Sequence, residues 1–440
     1  MNAAVRPPPL SPTELALEAA FLAVSLRLQL TPTQHRLCEE RYHSLAAYVE
    51  REGSPLANRV LEVYPSGSFA ILAVILGSVL RESHDFDVVL EIDIGTNADP
   101  ASVIDALYQA IRGERGSRYY DMTRRNSRCV TVTYHDGVTL DLMPVARNHD
   151  SPPRAAVLFH HRPAEPGRGE ERYRKPVNPW GFATFFNDQV PTDLAFAARV
   201  RRLREALSTR PPPSGLPSTD KAETQPVPPA VPLEEKPPRV MALQLMKRYR
   251  DKRHRRDDHR GMRKPPSVVL ASLALDVGGP GRTLDEELLL LTRHLLRKLR
   301  TAIGAGRLHE VRNPSHPPDV FTDRWPASDG AQRLWLQDLL HMEARLVELR
   351  RELPFPMRLQ AIFAELFGES VASIAVKGQM LEHRRARASG ESGFEASGRV
   401  AAVTVGTAAG ATVSRATAAP PSRTVDSVRA HDFYGNVRTW

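Results

Sequence analysis

Cysteines, long apolar runs and a signal-like N-terminus are scarce or missing in this sequence. It has 2 cysteines among 440 residues, Cys38 and Cys129, and their wide separation predicts neither a disulfide framework nor a zinc site. The longest apolar run, residues 69–76, is far shorter than the roughly 20 residues that a membrane-spanning helix needs, so we expect a buried helix there. Residues 1–9 lack the basic and then apolar pattern of a signal peptide. We therefore expect a cytoplasmic protein that does not contact a membrane.

The bulk composition is that of a globular protein with an excess of basic residues. The chain is 41% hydrophobic and 25% charged, and its 440 residues are enough for two packed lobes. Its formal net charge is +9, with a pI near 9.7. Such a charge suits an anionic partner such as a nucleotide or a nucleic acid, but an arginine-rich composition can produce it without functional meaning. The histidines, including the pair His160 and His161, show no metal-ligand spacing.

The first part of the chain alternates helical and strand patterns. A capping signature begins at Ser11, apolar residues follow it at helical spacing, and a second helix is expected after Pro32. Residues 101–111 form a further amphipathic pattern. Residues 128–134 and 138–142 are expected to pair as a hairpin, because the Asp-Gly between them provides the positive φ that a tight turn needs.

The remaining part of the chain is mostly helical, with polar and proline-rich interruptions. Residues 150–176 are polar and rich in proline, and residues 208–238 are so dense in proline that they cannot fold alone. From about residue 381 the composition is that of a flexible tail. The helical patterns span residues 192–207, 240–248, 267–275, 284–303, 332–352 and 357–367.

Three aspartates in strand-like segments form the most informative pattern. Asp85 and Asp87 precede a run of valine and leucine, and Asp141 lies in the apolar segment 138–144. Residues two apart on a strand point to the same face, so Asp85 and Asp87 present their carboxylates together. A third carboxylate from a neighbouring strand completes a cluster whose like charges raise each other's pKa values unless a cation is present. The cluster therefore predicts Mg²⁺, with Mn²⁺ as the alternative, bound by all three aspartates.

A glycine–serine pair upstream of the aspartates completes the pattern of a phosphoryl-transfer site. Gly67 and Ser68 precede the apolar segment 69–76, and the free backbone N–H groups at the start of a helix can bind a triphosphate. The predicted mechanism uses two cations. Asp85 and Asp87 hold both of them, and Asp141 holds the one nearer the attacking hydroxyl. Attack on the α-phosphate then releases pyrophosphate.

Basic residues of the helical part offer contacts to phosphate groups. Lys247 lies on a predicted helix, and it either reaches the triphosphate as a point charge or is an ordinary exposed lysine. The run 248–264 is strongly basic and is either a solvated face or a surface that contacts phosphate or nucleic acid. Glu91 and Asp93 share strand parity with Asp87, but they lie further from the glycine–serine pair, so we interpret both as structural.

These residues resemble the bacterial cyclic-oligonucleotide synthases of CBASS antiphage defence. That family is related to cyclic GMP-AMP synthase and belongs to the DNA polymerase β-like nucleotidyltransferase superfamily. The resemblance covers about residues 15–380. It rests on Gly67-Ser68-Phe69-Ala70, Asp85-Phe86-Asp87-Val88-Val89-Leu90-Glu91 and Leu140-Asp141-Leu142-Met143-Pro144, and on a more specific second set, Asn178-Pro179-Trp180-Gly181-Phe182, Leu243-Gln244-Leu245-Met246-Lys247-Arg248-Tyr249-Arg250-Asp251, Pro265-Pro266-Ser267-Val268-Val269-Leu270 and Asn313-Pro314.

The resemblance implies an α+β fold with a polymerase β-like core, made of a mixed sheet with flanking helices, and a C-terminal helical lobe. It implies that ATP or other NTPs are joined into a cyclic di- or trinucleotide in the cleft between the lobes. Gly67, Ser68 and Lys247 are then the expected nucleotide-binding residues. The expected catalytic residues are Asp85, Asp87 and Asp141. The implied order is N-terminal helices packing on both lobes, core, connecting helix, proline-rich loop, helical lobe and tail, at residues 1–57, 58–190, 191–207, 208–238, 239–380 and 381–440.

One departure from the family pattern lies directly after the glycine–serine pair. The family often carries glycine or threonine there, whereas this chain has Ile71-Leu72-Ala73-Val74. This replaces polar contacts with apolar packing. We therefore expect phosphate binding to depend more on Ser68 and on the backbone.

Two other functions stay open at this point. A linear, template-free nucleotidyltransferase that makes oligoadenylate or extends RNA ends would use the same carboxylates, and the basic run from Arg248 suits RNA. A catalytically inactive nucleotide-binding module is the third reading, but a scaffold does not need three buried acids. In the tail, Phe433 and Tyr434 are compatible with docking or conjugation of a regulatory partner protein.

Overall fold

The computed structural model describes residues 10–76, 84–149, 152–207, 235–279, 281–390, 392–394 and 400–402 of the chain. Within these ranges the helices α1 to α12 are Pro12–Arg27, Pro32–Val49, Gly67–Ala70, Pro100–Arg112, Pro179–Gln189, Leu194–Leu207, Pro238–Arg253, Ser267–Ala274, Leu284–Gly304, Asp329–Arg351, Pro356–Phe367 and Glu369–Ala388. The strands β1 to β11 are Val60–Pro65, His84–Ile92, Thr123–Arg125, Val130–Thr133, Val138–Arg147, Ala156–Arg162, Glu171–Val177, Arg312–Asn313, His316–Val320, Ser392–Phe394 and Val400–Ala402.

A seven-stranded mixed sheet organises the first half of the chain. β2 and β5 are parallel neighbours at its middle, β1 pairs antiparallel with β2, and the order from that edge is β1-β2-β5-β4-β3. The long strand β5 pairs antiparallel with β4 through its first half and with β6 through its second half. β7 then pairs antiparallel with β6. The two strands that carry the three aspartates are therefore adjacent in the middle of the sheet.

Local sequence signals explain where several helices begin. Ser11 and Thr31 each form a capping box at the start of α1 and α2, and each is followed by a proline at the first helical position. Asp99 caps α4 by accepting a hydrogen bond from the backbone N–H of Ser102 at 3.0 Å. The capping signature predicted at Ser11 is confirmed.

Two large hydrophobic cores hold the described chain together. One packs α2 and α4 against the sheet, with Tyr42, Phe86 and Leu107 almost completely buried. In the other core, α1 packs against α5 and against helices that follow α5. This core includes Phe21 and Phe363. Their rings lie 4.7 Å apart between centroids. α1 is thus part of a core that is built mostly from helices later in the chain.

Many of the predicted elements are confirmed. The structure contains the α+β arrangement of a mixed sheet with helices, the antiparallel pair β4–β5, and α2, α4 and α8 to α11 close to their predicted positions. The helix predicted at 192–207 is observed as α6. These elements carry strong local periodicity, which is why their existence follows from short stretches of sequence.

The helix predicted at residues 69–76 is wrong. α3 ends at Ala70, and the residues after it form a turn and an irregular segment. Leu72 has φ 58°, and the carbonyl groups of 72–74 accept hydrogen bonds from side chains far away in the sequence. Tertiary hydrogen bonds here replace the helical ones that the apolar pattern suggested.

Other boundaries also differ from the expectation. The polar stretch 150–176 contains β6 and β7, which the sequence did not indicate, and most of β7 is exposed or half-buried. α12 continues to Ala388, so the predicted tail boundary at 381 falls inside a helix. Residues 208–234 of the proline-rich segment and the tail from 403 onward, with the predicted docking aromatics, lie outside the described residues.

Over the residues that the structure describes, no helix by itself has the length and apolar character needed to cross a bilayer. By those two criteria alone, α1 and α2 would pass only when taken together as a bent pair.

Candidate active site

The three predicted carboxylates lie side by side on the two parallel central strands. Asp87 of β2 is paired in register with Asp141 of β5, and Asp85 is paired with Thr139. Because strand residues two apart face the same way, Asp85, Asp87 and Asp141 share one face of the sheet. Asp85 is exposed, whereas the other two are half-buried. The structure therefore brings together the residues that the sequence singled out from segments more than 50 positions apart.

Two threonines hold the outer carboxylates. The Thr139 hydroxyl donates a hydrogen bond to Oδ1 of Asp85 at 2.7 Å, and the Thr131 hydroxyl donates one to Oδ1 of Asp141. The side-chain amide of Asn126 in turn donates to Oγ1 of Thr131 at 2.6 Å. These residues were not predicted from the sequence, although Thr139 lies two positions before Asp141 on the same face of the strand.

The glycine–serine pair approaches Asp87 closely. A Cβ atom on Gly67 would lie 2.0 Å from Oδ2 of Asp87, and Gly67 has φ 57°, so only glycine fits at this position. The backbone N–H of Ser68 donates a hydrogen bond to the Asp87 carboxylate. The backbone N–H of Ser66 donates to the Asp87 carbonyl oxygen at 2.8 Å. The start of α3 and the central strand β2 are thus fixed to each other.

Burial and mutual repulsion change the acidity of the carboxylates. Burial, followed by the charges of Asp141 and Asp85, raises the pKa of Asp87 to about 7. Burial also raises the pKa of Asp141, and the Thr131 hydrogen bond acts in the opposite direction. The fully ionised cluster is therefore unfavourable unless positive charge is added to it.

The donor set fits a hard divalent cation in its chemistry. Three carboxylates on one face of a sheet are the oxygen ligands that such ions prefer. In the part of the chain that the structure describes, however, no three His, Cys, Asp or Glu side chains are already arranged as a metal-binding group. Hydrogen bonds from Thr131, Thr139 and the Ser68 N–H occupy carboxylate oxygens instead.

The carboxylates open onto a cleft of about 920 Å³. This volume is at the upper end of the range for small-molecule sites, which is roughly 300–1,000 Å³. Part of the basic run 248–264 faces the cleft rather than bulk solvent alone. The basic side chains that line it include Arg128, Lys175, Lys247, Arg255, Arg263, Lys264 and Arg324.

Lys247 lies in the wall of the cleft and is not an exposed lysine. It is 4% exposed, and its Nζ donates a hydrogen bond to the Ala73 carbonyl at 2.7 Å. Burial, with a smaller contribution from Arg250, lowers the pKa of Lys247 to about 7. The structure thus places this ammonium group beside the loop that follows the glycine–serine pair.

Glu91 is structural, as expected. It is completely buried, and Nε of Arg147 donates a hydrogen bond to its Oε2 at 2.7 Å. Asp93, which follows β2, is exposed.

Two asparagines of the second motif set hold a buried junction beside the cleft. Nδ2 of Asn313 donates to the Asn178 carbonyl at 3.1 Å and to Oδ2 of Asp319 at 3.2 Å. Oδ1 of Asn178 accepts the N–H of Gly181 at 2.8 Å and so caps α5. These two asparagines therefore have a structural role, because they join β8 and β9 to the start of α5.

Comparison with known proteins finds similar sequences and structures over most of the chain. A family model described as the Second Messenger Oligonucleotide or Dinucleotide Synthetase domain, SMODS, matches residues 15–156. The cyclic dinucleotide synthase CdnG of Bradyrhizobium diazoefficiens is 32% identical over 384 residues, which cover 87% of this chain and 88% of the relative. The structure of B. diazoefficiens CdnG in complex with GTP covers 82% of this chain and 98% of that chain, with a TM-score of 0.66 and 30% identity.

The fold and the aspartate-lined cleft define a nucleotidyltransferase with a polymerase β-like core and a C-terminal helical lobe. The chain belongs to the SMODS family of second messenger oligonucleotide and dinucleotide synthetases. This family is metal-dependent in general. The α+β fold class predicted from the sequence is confirmed.

Proposed function

We propose that this protein joins NTPs into a cyclic di- or trinucleotide second messenger. One observation carries the proposal. Asp87 and Asp141 are paired in register on two parallel strands, with Asp85 on the same face, at the wall of a large basic cleft. In a member of a synthetase family, this arrangement supports the proposal that the carboxylate cluster acts on the phosphates of a bound nucleotide.

In this proposal Asp85, Asp87 and Asp141 are the catalytic residues and hold Mg²⁺, or Mn²⁺ as the alternative. The cation would neutralise charge on the phosphates and favour the ionised form of the attacking hydroxyl. The hydroxyl groups of Thr131 and Thr139 orient two of the carboxylates through the hydrogen bonds that they donate. The raised pKa of Asp87 is consistent with a residue that ionises fully only beside positive charge.

Gly67, Ser68 and Lys247 are the proposed nucleotide-binding residues. Gly67 allows the start of α3 to lie directly against Asp87, and Ser68 lines the cleft. Lys247 lies in the wall of the cleft, and its ammonium group is the proposed positive charge for the phosphates. In this structure it donates a hydrogen bond to the Ala73 carbonyl. ATP or other NTPs are the substrates expected from the sequence, and the structure of B. diazoefficiens CdnG in complex with GTP supports GTP as one of them.

The biological setting is also a proposal. We propose that the product serves antiphage signalling of the CBASS type in the cytoplasm, with the active site between a core at residues 58–190 and a helical lobe at 239–380. Docking of a regulatory partner at the tail stays a prediction, because the tail lies outside the described residues.

The decisive test replaces the two aspartates of β2. We expect D85N combined with D87N to abolish product formation from labelled NTPs and Mg²⁺, because the variant loses two of three carboxylates but keeps the shape of their side chains. D93N is the matched control, since Asp93 is an exposed aspartate directly after the same strand. It should retain wild-type activity, and EDTA should stop the wild-type enzyme. Product formation by the double variant would refute the site.

The nature of the product separates cyclic from linear synthesis. We expect the products made without RNA to resist phosphatase, because a cyclic nucleotide has no terminal phosphate, and mass spectrometry then gives the ring size and bases. Phosphatase-sensitive products would favour the linear transferase instead. Nucleotide binding without any product would favour the inactive binding module.

A further inference from the structure

The backbone that follows the glycine–serine pair is held by side chains from a distant part of the chain. The consecutive carbonyl groups of residues 72–74 accept hydrogen bonds from Lys236 at 3.1 Å, Lys247 at 2.7 Å and Gln244 at 2.7 Å, in that order. None of these carbonyls is in a helix or strand. Those three side chains therefore contribute to the conformation of this segment, together with its backbone hydrogen bonds.

Lys236 is the centre of this cluster. Its Nζ donates hydrogen bonds to Oε1 of Gln29 at 2.7 Å and to the Leu72 carbonyl at 3.1 Å. The side-chain amides of Gln29 and Gln244 bind each other in both directions, at 2.9 Å and 3.1 Å. Nε2 of Gln29 also donates to the Ser25 carbonyl at 2.8 Å. One ammonium group thus connects the end of α1, the start of α7 and the segment after the glycine–serine pair.

Burying Lys236 is not expected to increase the folding stability of the protein. It is 8% exposed, and among the described residues its ammonium group forms no ion pair with a carboxylate. Burial lowers the pKa of Lys236 to about 8. A buried ammonium group without an opposite charge costs free energy, whereas an apolar side chain of similar length would not. A lysine at this position therefore points to a role in geometry.

The cluster reaches the candidate site through two further hydrogen bonds. The N–H of Ala73 donates to the Ser68 carbonyl at 2.8 Å, and the N–H of Ser68 donates to the Asp87 carboxylate. Lys236 does not line the cleft. Its effect on a nucleotide would be exerted through the position of Ser68, not through contact.

We infer that Lys236 is a positioning residue for nucleotide binding, because it holds the backbone at the Leu72 carbonyl and, through residues 72–74, the position of α3, which carries Gly67 and Ser68. This inference rests on the proposed function, in which Gly67 and Ser68 bind the triphosphate.

The test compares K236M, which removes the ammonium group, with K236R, which keeps a cationic donor. We expect K236M to raise the Kd for a non-hydrolysable GTP analogue with Mg²⁺ about tenfold. This is the effect expected when the segment next to the nucleotide loses one charged hydrogen bond, from Lys236 to the Leu72 carbonyl. Its KM should rise while kcat changes little. Amide hydrogen exchange in residues 66–76 should become faster, and the Tm should stay the same or increase. K236R should be close to wild type.

K377M is the control, because Lys377 is an exposed lysine on α12, and it should match wild type in every measurement. A folded K236M with wild-type Kd and wild-type exchange at 66–76 would overturn the inference. So would a lower Tm with unchanged Kd, since that result describes a merely structural residue. If K236M does not fold, Q29L makes the same prediction, because it removes the side-chain acceptor of Lys236.

The two proposals fail in different ways. If wild-type protein binds no GTP analogue, the proposed function fails, and the inference that rests on it fails too. If wild-type protein binds and converts nucleotides and K236M behaves identically, only the role of Lys236 is refuted.

Discussion

At the scale of single residues, burial beside negative charge controls the chemistry of the cleft. It raises the pKa of Asp87 to about 7. The same surroundings act on Cys129, because burial, with repulsion from Asp141 as the next contribution, raises the pKa of its thiol to about 12. Asn126 donates to both the thiol sulfur and Thr131. The Asp87 carboxyl and the Cys129 thiol therefore both keep their protons at higher pH than they would in water.

We expect the Cys129 thiol to resist alkylation by iodoacetamide in the native protein at pH 8. Four pH units below its pKa only about one thiol in ten thousand is ionised, and the thiolate is the reactive form. Because the thiolate fraction grows with pH, the rate should rise about tenfold per pH unit between 8 and 10. Mass spectrometry of the modified peptides measures the rate.

The urea-unfolded protein is the control for Cys129, and both cysteines should react readily in it. Cys38 is completely buried and its pKa is raised to about 11, so it should stay unmodified in the native protein. Fast labelling of native Cys129 near pH 7 would contradict the raised pKa.

At the scale of elements, α1 near the start of the described chain packs against α12 near its end. In α1 the residues from Ala16 to Ser25 are all buried, and many of them are alanines that let α12 approach closely. A Cβ atom on Gly378 would lie 2.4 Å from the Ala19 carbonyl oxygen and 2.8 Å from Cβ of Ala23. α12 therefore needs a glycine at its contact with α1.

We expect G378A to lower the free energy of unfolding by about 2–3 kcal/mol, because the added methyl group must displace backbone in a packed interface. Urea denaturation followed by circular dichroism measures the change. The matched control is G304A at the end of α9, where an added Cβ meets nothing within 4 Å. That variant should be neutral or slightly more stable. Equal stability of G378A and wild type would show that the helices can separate without cost.

At the scale of the whole molecule, a buried polar junction connects the sheet to the strands of the helical part. Asp319 on β9 accepts hydrogen bonds from Asn313 and from the backbone N–H of Asn178, and it pairs with Lys175 of β7 at 3.1 Å. Asn313 and Asp319 are almost completely buried. A buried polar group that loses its partner costs about 1–3 kcal/mol. Removing either of these two side chains therefore also destabilises the one that remains.

We expect N313A to lower the free energy of unfolding by about 2–3 kcal/mol, because it removes the donor to two buried oxygens. In a double-mutant cycle with D319A, the losses should be less than additive by about 1 kcal/mol. N97A, at an exposed asparagine, should change the stability by less than about 0.5 kcal/mol. Denaturant unfolding measures all four variants, and additive losses would show that the two side chains act independently.

The sequence by itself determined what depends on neighbours within a few residues. Strand periodicity placed Asp85 and Asp87 on one face, and the capping residue Ser11 marked the start of α1, because these features need only local geometry. Only the tertiary structure decided that β2 pairs in parallel with β5, which brings Asp141 to Asp87. It also decided that residues 71–76 leave the helical path, because carbonyl groups that a helix would bind internally are bound by side chains such as Lys236. Such partners are distant in sequence, and no local pattern encodes their approach.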